Sequence, residues 1–349
     1  MLAIETKGLT KYYGRSRGII DLNLEVPEGQ IFGFIGPNGA GKSTTIRTLL
    51  GFLQPTRGEA RIFGHPVCGL RDAKLPLPPW QVRAEIGYVP AEVSYYDEMK
   101  VRELLAYSAS FYPRRSRQEI RSRMQELAEI FALNLDERID SLSHGNKKKV
   151  ALIQALQHRP RLLILDEPTS GLDPLIQARL FSVLLEENRA GTTIFFSSHV
   201  LSEVQRFCHA VAIIREGRLL AVDKVENLLA KQVKRVRILL ARSTASPSSP
   251  ASSIGQASPV SPATDPAEAM KPVLTLAGVS GVEWTNNKSL SFLYRGDVPA
   301  LLATLNQVAP LVADIQIEEP SLEEVFLSFY NGEVDDKDAG VEPDTSERR

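Results

Sequence analysis

The sequence is poor in cysteine, in net charge and in long apolar runs. Its two cysteines, Cys68 and Cys208, lie far apart, and neither has a second cysteine or a histidine at metal-binding spacing. This pattern argues against a disulfide framework and a zinc site, and it suits a reducing cytosolic compartment. The 41 Lys and Arg residues balance 42 Asp and Glu residues, so the net charge of −1 provides no bulk attraction to nucleic acid or anionic lipid.

No apolar run is long enough to cross a membrane. The longest runs, such as residues 162–165 and 210–214, fall far short of the roughly 18 residues that a membrane-spanning helix needs. The first ten residues include Glu5 and Lys7, where a secretory signal would have a basic start and an apolar core, so no signal is expected. We therefore expect that the chain does not itself cross a membrane.

The length of 349 residues predicts two domains, and 43% hydrophobic with 24% charged residues is ordinary for a globular protein. Residues 1–230 are predicted to form an α/β domain, because short apolar runs are followed by Gly-rich turns and helical patterns. A helix is predicted to begin near Lys42. Strands are predicted at Ile31–Ile35 and at residues 85–89, 162–166, 193–196 and 211–214.

A helical insert is predicted within this domain, at about residues 95–158. Apolar side chains recur there at three- and four-residue spacing, which marks one buried face of a helix. These side chains are Ile120, Met124, Leu127, Ile130 and Phe131.

The composition changes abruptly at residues 242–271, which are rich in Ser, Pro and Ala and have almost no large apolar residue. Such a segment cannot form a core, and it is predicted to be a disordered linker. It splits a small α+β domain, which is predicted to comprise residues 231–241 and 272–330. The polar and mostly acidic residues 331–349 are predicted to be an unfolded tail.

Within the small domain, a strand is predicted at residues 233–240 and helices at residues 298–305 and 321–330. The last of these helices is amphipathic, with Leu322, Val325, Phe326 and Phe329 on one side.

A phosphate-binding loop lies between a predicted strand and a predicted helix. Residues 36–43 match the pattern GxxxxGK[ST], in which glycines let backbone N–H groups surround phosphates at a helix N-terminus. Lys42 would reach the outer phosphates, and Ser43 would bind Mg²⁺. The loop residues that would contact the phosphates of a bound nucleotide are Asn38, Gly39, Ala40, Gly41, Lys42, Ser43 and Thr44.

Polar groups also follow two other predicted strands. Asp166, at a buried strand end, is suited to hold Mg²⁺ through water, and Glu167 to polarise the water that attacks the γ-phosphate. His199 follows the next strand and would hydrogen-bond the γ-phosphate. Taken alone, two acids after a strand more often mark a strand meeting solvent, and a lone histidine a helix cap or a surface residue.

Five motifs occur in a fixed order: the phosphate loop, Leu142-Ser143-His144-Gly145-Asn146, Ile164-Leu165-Asp166-Glu167-Pro168, Ser170-Gly171-Leu172-Asp173 and Ser197-Ser198-His199. In this order they resemble the nucleotide-binding subunit of an ATP-binding cassette (ABC) transporter, over about residues 1–225. The resemblance implies a P-loop NTPase cassette fold of the α/β class, with a mixed sheet and a helical insert.

The resemblance also implies that two cassettes face each other head to tail with ATP between them. Ser143 and Gly145 would then contact the γ-phosphate bound by the partner chain, and Asp173 would bridge the two sites. Tyr13 matches the aromatic residue that stacks on adenine, and Tyr12 is the weaker candidate.

Two motifs depart from the family pattern, which usually has LSGGQ as its pentapeptide. His144 and Asn146 replace its third and fifth residues, whereas the phosphate-contacting Ser143 and Gly145 are retained. After the strand at residues 85–89, the family usually has Gln directly after the proline, but here Pro90 is followed by Ala91 and Glu92. Glu92 either substitutes for that Gln, as a contact to ATP, Mg²⁺ or water, or is an ordinary solvated acid.

Three lysines, residues 147–149, follow the pentapeptide at the predicted start of a helix and are interpreted as a solvated face. Residues 319–327 resemble the ending of cassettes from a bacterial branch that exports drugs and polysaccharides, as do Asn146 and the lysines. In the family, a helix from the membrane subunit docks after Pro90. The nearby Tyr95, Tyr96 and Met99 either form that socket or belong to the core of the helical insert.

The resemblance thus implies an ATPase that uses ATP and Mg²⁺, pairs with a second cassette, an identical copy in the simplest case, and drives export through a separate membrane subunit. It would be peripheral at the cytoplasmic face of the cell membrane, and no nucleic-acid partner is expected. The alternative is a soluble cassette that acts on ribosomes or nucleic acid, but such proteins generally carry two cassettes or long coiled-coil insertions. A non-hydrolysing regulatory cassette is disfavoured because Lys42, Asp166, Glu167 and His199 are all present.

Overall fold

The computed structural model describes residues 1–68, 80–95, 98–112, 116–230, 234–240, 266–285, 289–294, 296, 298–318 and 322–323. The chain divides into two compact units, Met1–Asn227 and Leu228–Arg349. Each unit has its own hydrophobic core.

The first unit contains a six-stranded sheet at its centre. Its strands are β3 (Ile31–Ile35), β6 (Ile86–Val89), β7 (Leu162–Asp166), β8 (Thr193–Ser198), β9 (Ala210–Arg215) and β10 (Arg218–Lys224). They run in the order β10-β9-β3-β8-β7-β6, and all neighbours are parallel except the antiparallel pair β9 and β10. Strands β3, β7 and β8 are buried at every position, as expected for parallel strands covered on both faces. All five predicted strands are present, within two residues of their predicted ends.

A second sheet in this unit was not predicted from the sequence. It is antiparallel, in the order β2-β1-β4-β5, and comprises β1 (Leu2–Tyr13), β2 (Ser16–Pro27), β4 (Arg57–Ile62) and β5 (His65–Cys68). In β2 the buried side chains of Leu22, Leu24 and Val26 alternate with exposed ones, which is the period of a half-buried strand. That alternation was present in the sequence.

Helices complete the first unit: α1 (Lys42–Leu49), α2 (Trp80–Arg83), α3 (Val101–Ala109), α4 (Arg117–Ile130), α5 (His144–Leu156), α6 (Pro174–Arg189) and α7 (Leu201–Phe207), with a 3₁₀ turn at Ile139–Ser141. Helix α8 (Val225–Ala230) lies at the division between the units. Helices α3 to α5 form the insert between β6 and β7, so the predicted α/β class, mixed sheet and helical insert are confirmed.

The buried face of α4 differs from the prediction at three positions, one of which is the small apolar residue Ala128, which is also buried. Ile130 is only half-buried, whereas the charged residue Arg123 is buried. The Arg123 guanidinium lies 2.6 Å from Glu187 Oε1 of α6, and both side chains are 7% exposed. A hydrophobic pattern cannot reveal such a position, because its burial depends on a partner from a distant helix.

The second unit contains four antiparallel strands in the order β12-β13-β11-β14. Its elements are β11 (Lys234–Leu240), α9 (Pro266–Ala269), α10 (Lys271–Leu274), β12 (Val279–Thr285), β13 (Ser289–Tyr294), α11 (Val298–Gln307), a 3₁₀ turn at Ala309–Leu311 and β14 (Val312–Glu318). This is a β-α-β-β-α-β arrangement of the ferredoxin-like type.

Residues 266–271 correct the predicted extent of the linker. They form α9 and the beginning of α10, and Met270 is fully buried in the core of the second unit. A single large apolar side chain at the end of a polar segment was too weak a signal to reveal this. The rest of the predicted linker, the tail at 331–349 and the helix at 321–330 beyond residues 322 and 323 lie outside the described residues.

In the described parts of the chain, no helix is both long and apolar enough to span a membrane.

Candidate functional site

The phosphate loop joins the central strand β3 to helix α1, which begins at Lys42 as predicted. Gly41, at the N-cap of α1, has a φ of 112°, a conformation that an L side chain rarely adopts. The turn therefore delivers the chain directly into the helix, with the helix N-terminus facing the loop. Backbone N–H groups and the positive end of the helix dipole suit this turn for binding phosphate.

Lys42 is the most buried polar group of the loop, with 5% of its surface exposed. Its Nζ donates hydrogen bonds to Gly36 O at 2.7 Å and Pro37 O at 3.2 Å. The same atom lies 3.6 Å from Glu167 Oε1. The loop therefore holds the ammonium group over its own concave side, where phosphates would bind.

Asp166 and Glu167 end strand β7 at the same sheet edge. Asp166 is 1% exposed, and Ser197 Oγ of β8 donates a hydrogen bond to its Oδ1 at 2.9 Å. Glu167 has a φ of 48°, which is uncommon for a residue with a side chain, and its backbone N–H bonds to Ser197 O at 3.0 Å. Strand β8 thus orients both acids, although Ser197 was not singled out from the sequence.

His199 lies beside Glu167. Its Nδ1 is 3.2 Å from Glu167 Oε1, and its side chain is 51% exposed. The fold therefore brings Lys42 and His199 to the carboxylate of Glu167, although the three residues come from three separate motifs. A nucleotide phosphate at the loop would meet a cation, a carboxylate and an imidazole together.

Tyr13 stands near the start of α1. Its hydroxyl is 3.4 Å from Thr44 Oγ1, and its half-exposed ring has Lys11 Nζ at 5.6 Å from the centroid. Tyr12 is also half-exposed, but its backbone N–H is bonded to Thr56 Oγ1 at 2.9 Å. The side-chain contact to Thr44 places Tyr13 next to the phosphate loop, where an adenine could stack on it.

The Leu142–Asn146 segment, which includes the first residues of α5, packs against the Ser170–Asp173 loop within the chain. A Cβ atom on Gly145 would lie 2.7 Å from Gly171 O, so the close approach requires glycine. Ser143 Oγ accepts the Asn146 N–H at 3.2 Å and caps α5, and Asp173 Oδ1 accepts the Ile176 N–H at 3.0 Å and caps α6.

Ser143 and Gly145 are not brought to the chain's own phosphate loop by any hydrogen bond or ion pair among the described residues. The structure thus groups the predicted site residues into two sets. One set surrounds Lys42, and the other lies around the N-termini of α5 and α6.

Lys148 corrects the interpretation of the three lysines as a solvated face. Lys147 and Lys149 are half-buried, but Lys148 is fully buried. Its Nζ donates to Pro90 O at 2.8 Å and to Ala91 O at 3.0 Å, and burial lowers its pKa to about 8. Consecutive helical residues point in directions about 100° apart, so one of three adjacent lysines can face the core.

Lys148 therefore ties helix α5 to the turn after β6. In that turn Glu92 is exposed, Tyr95 is half-buried and Met99 is half-buried, while Tyr96 lies outside the described residues. Burial raises the pKa of the Tyr95 phenol. The role of Glu92 stays a prediction.

Glu203 of α7 is a second residue that sequence reasoning missed. Its Oε2 accepts hydrogen bonds from Thr169 Oγ1 at 3.2 Å and from Ser198 Oγ at 3.1 Å. Burial raises the pKa of this carboxyl group, against the opposing effects of the two hydroxyls and His199. Its position four residues after His199 was the available signal, but nothing in the sequence says what it contacts.

The residues fit Mg²⁺ in the chemistry of their donors. Ser43 offers a hydroxyl oxygen and Asp166 a carboxylate, which are the hard oxygen ligands that Mg²⁺ prefers. Among the described residues, no group of three or more His, Cys, Asp or Glu side chains could hold a metal ion.

The family model for ABC transporters matches residues 19–170. The chain is 36% identical over 242 residues to the bacitracin transport ATP-binding protein BcrA of Bacillus licheniformis, covering 68% of this chain and 74% of that protein. It is 36% identical over 237 residues to the Nod factor export ATP-binding protein I of Paraburkholderia xenovorans, covering 66% and 74%.

Among solved structures, ATP-binding subunits of ABC transporters are also similar to this chain. The ATP-binding subunit of an ABC transporter is similar with a TM-score of 0.59 and 32% identity, covering 65% of this chain and 92% of that one. The dimeric bacterial cassette MJ0796 is similar with a TM-score of 0.57 and 26% identity, covering 64% of this chain and 98% of that one.

Proposed function

The chain belongs to the ABC transporter family as an ATP-binding and ATP-hydrolysing subunit, and we propose that it works as one of two cassettes that drive export through a separate membrane subunit. The observation that carries the proposal is the cluster in which Glu167 Oε1 lies 3.6 Å from Lys42 Nζ and 3.2 Å from His199 Nδ1. Three groups suited to hydrolysis of a γ-phosphate are thus already assembled in one chain.

Each group of the cluster has a role in this proposal. Lys42 and the backbone of residues 38–44 bind the phosphates, and Tyr13 stacks on the adenine. Glu167 accepts a proton from the attacking water, and His199 donates a hydrogen bond to the γ-phosphate. Ser43 and Asp166 hold Mg²⁺, which neutralises phosphate charge when it is bound.

The second set of residues serves the partner cassette. Among the described residues, Ser143 and Gly145 make no hydrogen bond or ion pair to their own phosphate loop, and Gly145 packs on Gly171, which supports their use in trans. Asp173, which caps α6 in the adjoining loop, then lies where the two sites meet. Closure of the pair on two ATP molecules and reopening after hydrolysis would switch the membrane subunit between its two states.

Export, the membrane partner and a peripheral location are inferred from relatives whose names refer to Nod factor export and bacitracin transport. The turn after β6 is the proposed docking site for the membrane subunit. Lys148 holds this turn to the helix that begins at His144, so a change at Ser143 can reach it. Glu92 then takes the place of the family's Gln as the contact of this turn with the ATP site.

Replacement of Glu167 tests the proposed base. The Glu167→Gln variant should bind ATP with wild-type affinity, while kcat for hydrolysis falls by roughly 10²- to 10⁴-fold, the usual contribution of a general base. A phosphate-release assay and nucleotide-binding titration measure the two quantities. Glu186→Gln, an exposed change on α6, is the matched control and should hydrolyse ATP normally.

Wild-type turnover in the Glu167→Gln variant would disprove the assignment of the base. The transport role is tested separately, by purifying the protein from detergent-solubilised membranes. Copurification of an integral membrane chain supports it, whereas steeply salt-dependent RNA binding without such a chain supports the alternative of a soluble cassette.

A further inference from the structure

Glu203 links two segments that are distant in the sequence. It lies in the first turn of α7 and is half-buried. Its Oε2 atom alone accepts both the Thr169 hydroxyl, at 3.2 Å, and the Ser198 hydroxyl, at 3.1 Å. Because one oxygen receives one donor from the loop after β7 and another from the end of β8, the positions of these two segments depend on each other.

The two hydroxyls belong to the segments that carry the proposed catalytic groups. Thr169 follows Glu167 by two residues, and Ser198 directly precedes His199. Ser198 Oγ also accepts the Val200 N–H at 2.9 Å, so its hydroxyl sets the turn that contains His199. Glu203 therefore holds Thr169, two residues after Glu167, and Ser198, directly before His199.

The segment after β7 needs such support. Glu167 has a φ of 48°, which costs free energy unless surrounding contacts hold it. The Gln177 side chain bonds Thr169 O at 3.2 Å and Leu172 O at 3.0 Å, so α6 fixes the backbone of this loop. The Thr169 side chain is fixed separately, by Glu203.

We propose that Glu203 is a positioning residue for ATP hydrolysis, which keeps Glu167 and His199 at the separation the reaction needs. The proposal rests on the assignment of Glu167 as the base. Glu203 does not touch the nucleotide in this scheme, so its loss should affect the chemical step and leave ATP binding by the phosphate loop intact.

The test compares Glu203→Leu with Glu203→Gln. Leucine removes the acceptor, and kcat should fall about 10- to 100-fold, the usual cost of misplacing a catalytic group, with KM for ATP unchanged. Glutamine keeps a carbonyl oxygen that can accept both hydroxyls, so it should restore most of the rate. Arg206→Leu, an exposed change on the same helix, should leave both constants unchanged.

A structural role would give a different pattern. If Glu203 acts by positioning Glu167 and His199, adding Glu203→Leu to the Glu167→Gln variant should lower kcat little further. An undiminished fall in that background, an equal defect in Glu203→Gln, or wild-type kcat in Glu203→Leu would each overturn the proposal. Wild-type kcat in Glu167→Gln alone would instead disprove the proposed base.

Should Glu203→Leu fail to fold, Thr169→Val tests the same contact from the other side. It removes the hydroxyl with little change in shape, and kcat should fall several-fold, roughly as expected for one lost hydrogen bond to a carboxylate. In a Glu203→Gln background, Thr169→Val should lower kcat by the same factor as it does in the wild-type background. Wild-type kcat in Thr169→Val would contradict the proposal.

Discussion

At the residue scale, the site shows how weak individual signals gain meaning from their neighbours. His199 follows a strand, as many histidines do, yet its Nδ1 lies 3.2 Å from Glu167. Glu167 in turn lies 3.6 Å from Lys42. These distances relate residues that are more than 30 positions apart in the sequence, so only the fold could supply them.

Lys148 is one residue at which a sequence-based interpretation was wrong. Its side chain is fully buried and bonds two backbone carbonyl oxygens, whereas a solvated face was expected. A buried ammonium group is costly, because burial disfavours the charged form. That cost lowers the pKa of Lys148 from 10.5 to about 8.

This shift predicts how stability depends on pH. Between pH 8 and 10.5 the unfolded state keeps its proton on Lys148 while the folded state loses it, so the free energy of unfolding rises with pH. Relative to Lys148→Met, the wild-type protein should gain at most about 1.4 kcal/mol per pH unit in this window. Urea unfolding at pH 7 and pH 10, followed by circular dichroism, measures the difference between the two proteins.

Lys149→Met is the control for this prediction, because Lys149 is half-buried on the same helix. Its stability difference from the wild-type protein measures the effect of replacing a lysine of α5 that is not fully buried. A stability difference between Lys148→Met and the wild-type protein that stays constant from pH 7 to pH 10 would show that the ammonium group is not held as the structure has it.

At the element scale, helix α4 is joined to α6 by an ion pair and by a hydrogen bond from Arg179 to Ile130 O. Arg123 lies 2.6 Å from Glu187 of α6 and 2.6 Å from Glu126 of its own helix. Glu187 is itself 7% exposed, so it depends on this one guanidinium for compensation. The ion pair therefore helps to hold the helical insert to the core.

Removing one partner of this pair should be strongly destabilising. Arg123→Met leaves the Glu187 carboxylate buried and unpaired, which typically costs about 3 to 5 kcal/mol. Arg121→Met, an exposed change on the same helix, should alter the free energy of unfolding by less than about 0.5 kcal/mol. Urea unfolding of both variants provides the comparison.

The double variant Arg123→Met with Glu187→Leu completes this test. It removes both charges, and it should recover much of the lost stability, because no unpaired carboxylate remains. An Arg123→Met variant as stable as Arg121→Met would contradict the inferred role of the pair.

Element types were predicted well where the periodicity was strong. The buried strands β3 and β7 and the start of α1 lie where apolar runs and the phosphate-loop pattern placed them. The antiparallel sheet of β1, β2, β4 and β5 was missed, although β2 alternates in burial. Its pairing joins residues as far apart in the sequence as Ile4 and Ile62, and local pattern alone does not show which strands meet.

At the scale of the whole molecule, the proposed function divides the site residues of one chain between two half-sites. Lys42, Glu167 and His199 form one group, and Ser143 and Gly145 lie at the N-terminus of α5, where Gly145 packs on Gly171. Under the proposed head-to-tail pairing, a complete site needs one group from each cassette. Activity should therefore depend on pairing.

A complementation experiment tests this dependence. Ser143→Ala and Lys42→Met should each abolish most hydrolysis, because each variant spoils both sites of a homodimer. An equal mixture should recover about one quarter of the wild-type rate, since about half of the dimers are mixed and each mixed dimer has one complete site of two. A phosphate-release assay at fixed total protein concentration measures the recovery.

Mixing two preparations of the same variant is the control and should give no recovery. An equal mixture of the two variants that stayed inactive would argue against a site shared between cassettes. Full activity of Ser143→Ala by itself would argue against any role of the pentapeptide in hydrolysis.

The sequence by itself determined the chemistry: a phosphate loop, two acids after a buried strand, and an order of motifs that led to the correct family. These features are local, because each needs only a few adjacent residues. The tertiary structure alone decided that Lys148 is buried against Pro90 and that one oxygen of Glu203 accepts hydrogen bonds from both Thr169 and Ser198. Such contacts join distant parts of the chain, and burial and hydrogen bonding between them exist only once the sheet has brought its strand ends to one edge.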